Sequence, residues 1–271
     1  MPAGLVVTHT QKQNLTGGAF EALTVGTGDS LSIANYRDGT RAWILEAWGA
    51  NSANACDFGL RSPRMHDNTR GLRLAYDFTP TLAGTQDRSQ LLLPYAVRQP
   101  VYSSDTLIAE VNGTATNNVV FDYLVYYEDL PGLDQNLATW AEIQPRIVNT
   151  LGIKVAVSAG ATGDYGAAVA LNATDDRLKA DTYYAILGAT AQLNASLLTI
   201  AGPDLSNFRV GLPLLGTEQL SSGWFVDLSL RYGIAAIPVI NANNKGNTNL
   251  QAAAAAGAAA TAATIILAEL R

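Results

Sequence analysis

Apolar and polar positions alternate in short stretches along most of the chain, broken by glycine, proline and asparagine. Glu21 to Ile33 alternates as two short strands joined by Gly26-Thr27-Gly28-Asp29. Asp38-Gly39 marks a turn, and Thr40 to Gly49 reads as a strand rich in large apolar side chains. Trp43 and Trp48 lie five residues apart. On a regular strand they point to opposite faces, one to the core and one to a partner surface. Asp57 to Leu60, Gly71 to Phe78, Leu91 to Tyr95 and Ala96 to Tyr102 read as further short strands, with Pro94 and Pro100 at positions that suit strand starts or edges. Leu107 to Val111 and the Asn112-Gly113 turn lead to Val119–Tyr127, VVFDYLVYY, which is too apolar for a strand with one wet face and is placed inside a sandwich.

Pro131-Gly132 is the sharpest boundary signal. Asp134 to Asn149 follows with near-helical apolar spacing, interrupted by Pro145, and reads as a short linker helix. Ile153 to Leu171 reads as a hairpin around Gly160-Ala161-Thr162-Gly163. Near the end, Ala252 to Ala256 is read as helix or irregular, Gly257 as a break and Ala262 to Leu270 as a strand. Residues 1–20 are small and polar, and read as an extended arm.

The pattern repeats. Pro63 to Leu74 matches Pro203 to Leu214 at a constant offset of 203 − 63 = 140, with proline, Gly71/Gly211, Leu72/Leu212 and Leu74/Leu214 in register. In order along the chain, Ala42–Leu45 resembles Tyr184–Leu187, Leu107–Gly113 resembles Leu250–Gly257, and Val119–Leu130 resembles Thr261–Leu270. Gln13-Asn14-Leu15 and Gln135-Asn136-Leu137 open the two copies, at 13–130 and 135–271. About eight strands per copy predict an all-β protein of two tandem jelly-roll β-sandwiches with a short linker helix. The expected divisions are an N-terminal arm at 1–20, a first sandwich at 21–130, a linker at 131–152 and a second sandwich at 153–271.

Composition narrows the function. Of the 271 residues, 15% are charged, against a usual quarter, so much of the surface is uncharged, as on a protein buried against neighbours. The net charge of −6 and the lack of a basic run argue against sequence-specific nucleic-acid binding. The first residues lack a basic head followed by a long apolar stretch and do not read as a secretory signal.

Candidate chemistry is sparse. His66 stands beside Asp67, a pairing that can orient an imidazole, but the repeat replaces it with Ser206, so it is read as a solvated loop histidine. His9 falls in the expected arm. Cys56 aligns with Ser196 and is read as a small buried residue; one cysteine excludes an internal disulfide. Two histidines and one cysteine do not supply a zinc site of usual spacing. Asp175, Asp176 and Asp204 are the acids considered for calcium, without a loop of the required pattern. Tyr123, Tyr126 and Tyr127 are explained by packing. No catalytic, metal-binding or cofactor-binding residue is assigned, and the expectation is that the chain is not an enzyme.

With its two copies and its long terminal strands Val119–Tyr127 and Ala262–Leu270, nearly the whole chain resembles the double jelly-roll major capsid proteins of tailless icosahedral viruses. The resemblance implies a structural virion protein that self-assembles as pseudo-hexagonal trimers into an icosahedral shell. It implies contacts with its own copies, with other virion proteins and with an internal membrane, and a life in the virion after assembly in the host cytoplasm. The alternatives are a tandem β-sandwich carbohydrate-binding or adhesin module, and a viral spike or decoration protein.

Overall fold

The computed structural model describes residues 3–36, 41–52, 56–65, 72–76, 89–93, 98–191, 195–214, 221–255 and 260–271. The first half contains strands Ala3–Lys12 (β1), Glu21–Ala22 (β2), Thr24–Val25 (β3), Ala42–Asn51 (β4), Cys56–Arg61 (β5), Leu72–Tyr76 (β6), Gln90–Leu91 (β7), Gln99–Pro100 (β8), Ile108–Gly113 (β9) and Val119–Glu128 (β10). They form two antiparallel sheets, β3-β1-β10-β4-β7 with β8 also on β4, and β2-β9-β5-β6. The second half runs Leu137–Ala138 (β11), helix Trp140–Ile143 (α1), Ile147–Ser158 (β12), Val169–Ala170 (β13), Tyr183–Ala191 (β14), Leu197–Ala201 (β15), Val210–Pro213 (β16), helix Trp224–Tyr232 (α2), Ile237–Asn241 (β17), Asn249–Ala253 (β18) and Ala260–Leu270 (β19). Its sheets are β11-β17-β14-β19-β12 and β13-β18-β15-β16. In each half the first long strand pairs with the last, and the strand order is that of a jelly roll.

The halves agree down to a defect. In β4 the pairing with β10 passes from Leu124↔Glu46 to Val125↔Ile44, so Leu45 is an extra residue. In β14 the pairing with β19 passes from Ile266↔Gly188 to Leu267↔Ile186, so Leu187 is extra. A β-bulge therefore sits at equivalent places, 187 − 45 = 142 residues apart, and the partners keep the same offset, 267 − 125 = 142. The bulge also corrects the reading of the tryptophans. An odd spacing that crosses a bulge becomes an even one, so Trp43 and Trp48 share a face: Trp43 stacks on Tyr126, and Trp48 is paired opposite Asp122.

Other expectations are corrected. Residues 3–12 are not an arm. They are β1, paired along its whole length with β10, with Leu5 and His9 fully buried and Val7 nearly so. The segment looked polar because its threonines are internal: Thr10 Oγ1 donates to the Phe121 carbonyl at 2.7 Å. Gln13 and Gln135 are therefore not equivalent, since one follows the first long strand of its half and the other precedes it. The linker is shorter than 131–152. A capping box of Thr139 and Glu142 starts the single turn of α1, Pro145 lies in a 3-10 turn, and β12 begins at Ile147. The stretch 153–171 is not a hairpin, because β12 pairs with β19 and β13 with β18. Ala252 and Ala253 are strand, because β18 sits in a sheet where burial outweighs alanine's helix propensity. The constant offset of 140 slips in the small sheets: Phe58 faces Leu74, whereas Leu198 faces Leu212, a step of 138 on that strand. Gly71, His66 and Asp67 lie outside the described residues. Helix α2 was not expected.

The large first sheet is covered on both sides, and this positions everything that follows. Val119, Phe121, Tyr123, Val125 and Tyr127 of β10 join the core between the sheets of the first half. Leu124 and Tyr126, with Leu5, Val7 and Trp48, join the core of the second half. The apolar run VVFDYLVYY thus has no wet face because one face meets its own sandwich and the other its neighbour.

Candidate functional site

The seam between the halves concentrates the buried charge. Its close packing starts from glycine: a Cβ on Gly211 of β16 would stand 2.7 to 2.8 Å from Val7 atoms, and the Val7 amide donates to the Arg209 carbonyl at 3.0 Å. The free edge of β1 is satisfied by the second half elsewhere too. Gln135 acts as a strand residue through its side chain, accepting from the Leu5 amide at 2.7 Å and donating to the Leu5 carbonyl at 2.9 Å.

At one end of the seam two Thr-Gly-Asp turns face each other, 27–29 and 162–164, with Gly28 and Gly163 at φ +84° and +85°. Asp164 accepts from the Thr27 amide at 3.0 Å and the Thr27 hydroxyl at 2.6 Å. Asp29 accepts from the His9 amide at 2.8 Å, the Tyr165 hydroxyl at 2.7 Å and Arg209 Nη1 at 2.7 Å. The Arg209 guanidinium lies 4.3 Å from the Tyr165 ring centre. Enclosed by this network, His9 places Nδ1 2.5 Å from Asp122 Oδ1 and Nε2 2.9 Å from the Gly163 carbonyl, with both side chains fully buried.

Burial alone lowers the proton affinity of His9, but the charge and hydrogen bond of Asp122 more than offset it, and the ring is held above its usual 6.5. Burial raises Asp122, with His9 opposing. Burial also raises Asp164, but the Thr27 hydroxyl and amide bring it below the usual range.

Beside this network, Trp48, paired opposite Asp122, meets Trp224 of α2 edge to face, with centroids 5.9 Å apart. Arg231 of α2 bridges Glu46 of β4 and Asp227. The Tyr232 hydroxyl lies 2.7 Å from the Leu45 carbonyl and 3.0 Å from Glu46 Oε1. Burial pushes the Glu46 carboxyl up to about 7, against the pull of Arg231 and Tyr232. Arg98 caps this group, donating to the Tyr232 carbonyl, with its guanidinium 5.3 Å from the Trp43 ring.

A cleft of about 760 Å³ opens along the seam, with Thr8, Asp29, Tyr127, Phe208, Arg209 and Asn249 in its walls. This arrangement can hold two sandwiches in one fixed relation; the charges that line it are already paired with each other.

The residues weighed from sequence lie elsewhere. Cys56 is buried in the first core, with Asn117 Nδ2 3.1 Å from its sulfur, and burial pushes its thiol up to about 11. Asp175 pairs with Arg177, Asp176 with Lys245, and Asp204 accepts from the Asn241 amide and Asn244. Among the described residues no group of three or more His, Cys, Asp or Glu is placed to share a metal ion. Tyr123, Tyr126 and Tyr127 are buried, which agrees with packing. Sequence reading missed His9, Asp122, Glu46 and Arg231. A signal was present: Asp122 and Glu46 are lone acids inside apolar strands, and a buried carboxylate requires a partner.

No family model matches the chain, and no curated protein does. Among solved structures it is similar to the STIV MCP at 10% identity, over 98% of this chain and 96% of that one, with a TM-score of 0.21. It is similar to a chain in the atomic structure of Sulfolobus Turreted Icosahedral Virus at 12% identity, 98% and 90% coverage and a TM-score of 0.20. It is also similar to the PBSX exported protein XepA at 11% identity, 92% and 86% coverage and a TM-score of 0.19. Superposition this poor adds nothing to the fold already read from the strand order.

Proposed function

We propose that the chain is a structural virion protein, a major capsid subunit that assembles as pseudo-hexagonal trimers. The observation that carries this reading is the repeated register of β4 on β10 and of β14 on β19, bulge included. One fold-sized unit copied and fused accounts for it. The buried seam then fixes the two copies in a single relation, so each subunit offers two similar modules at a set angle. Three such subunits in a ring present six modules and tile a closed surface with nearly equivalent contacts. In this reading the partners are other copies of the chain, further virion proteins and an internal membrane, and the location is the virion. Catalysis has no part in it.

Negative-stain electron microscopy of the purified protein tests the proposal. Ring-like particles with a six-lobed outline are expected. Single two-lobed particles that bind sugar would replace it with the carbohydrate-binding alternative.

A further inference from the structure

The surroundings of His9 fix its hydrogen count. The Gly163 carbonyl only accepts, so Nε2 carries a hydrogen. The 2.5 Å contact between Nδ1 and Asp122 Oδ1 needs another, on the ring or on the carboxyl. A neutral imidazole beside a carboxylate has one hydrogen for these two contacts, so the pair holds one proton more. His9 and Asp122 belong to the first half and Gly163 to the second; when the pair loses a proton, the charge-assisted contact to Asp122 keeps the remaining ring hydrogen and the contact across the seam to Gly163 loses its own.

The groups facing the pair come from every element packed on it. Asp29 approaches from the turn after β3, Asp164 and Tyr165 from the opposing turn, Arg209 from the segment before β16, and Trp48 from β4. Three carboxylates face one guanidinium, which favours retention of the proton. Water does not reach either side chain, so Nε2 facing the Gly163 carbonyl without its hydrogen finds no solvent donor to replace it.

We propose that the His9–Asp122 proton is a latch: with it in place the turns 27–29 and 162–164 stay closed on each other, and its loss at alkaline pH parts them and widens the adjoining cleft while both sandwiches remain folded. The Thr27 amide bonded to Asp164 reports the closure directly. The latch stands whether or not the chain forms a shell.

The chain has two histidines, so nuclear magnetic resonance resolves both imidazoles, and a His66→Gln variant assigns His9. The full-length protein is titrated from pH 5 to pH 10, following the His9 ring and the Thr27 amide. The latch requires a His9 midpoint above 6.5 and a Thr27 shift with the same midpoint. Asp122→Asn should lower both midpoints by about one pH unit or more, the shift expected from losing an opposite charge in contact. Glu269→Gln, at the opposite end of β12 from the 162–164 turn, should leave both in place. A Thr27 amide that stays unchanged while His9 titrates overturns the proposal, as does a pair of unequal midpoints. The wild-type co-titration decides the matter if Asp122→Asn does not fold.

Discussion

At the scale of the residue, burial sets what each polar group can do. Cys56 is the clearest case: with the thiol pushed up to about 11 inside the first core, it is a packing residue. A disulfide reagent at pH 8 should therefore find no reactive thiol in the native protein and one per chain after denaturation. Rapid reaction of the native protein would contradict the burial. Glu46 makes the opposite point, because its carboxyl rises from 4.5 to about 7. A raised folded value means the folded chain binds more proton than the unfolded one between those limits. Its stabilising contribution is complete below pH 4.5 and is lost as pH rises through 7. Thermal melts from pH 4.5 to 8 should show that decline, and Glu46→Gln should flatten it relative to wild type.

At the scale of the element, the two bulges explain both what could be read from the sequence and what could not. The strands at 42–51 and 119–128 were legible because their apolar runs are long and β-branched or aromatic. The sidedness of Trp43 and Trp48 was not, because alternation assumes a regular strand and Leu45 breaks it. β1 was hidden by buried threonines, of which Thr10 bonds its hydroxyl inside the sheet, and β18 by alanines. Helix α2 leaves a trace in the sequence: Trp224, Leu228 and Tyr232 recur every four residues, all nearly or fully buried. The His9–Asp122 and Glu46–Arg231 pairs could not be placed because the partners lie more than a hundred residues apart. Deleting Leu45 tests the bulge. It removes the extra residue, leaves Ile44↔Val125 and Glu46↔Leu124 as adjacent pairs of a regular ladder with the faces of Ala42 to Ile44 kept, and should retain a cooperative thermal transition. Leu45→Ala keeps the bulge and should cost about 2–5 kcal/mol in denaturant unfolding. Equal effects of the two changes would show that only the side chain matters.

At the scale of the whole molecule, the sandwiches are held together because the outer face of one sheet is finished by the neighbouring half. Trp48 on Trp224, Gln135 on Leu5, and His9 between Asp122 and Gly163 each take part of their surroundings from across the seam. That arrangement joins two similar sandwiches across one buried seam, the property the proposed ring of three subunits requires. Native mass spectrometry over a range of protein concentrations measures this most directly. The account predicts a dominant species of three 28.6 kDa chains. A chain that stays monomeric at every concentration would contradict it.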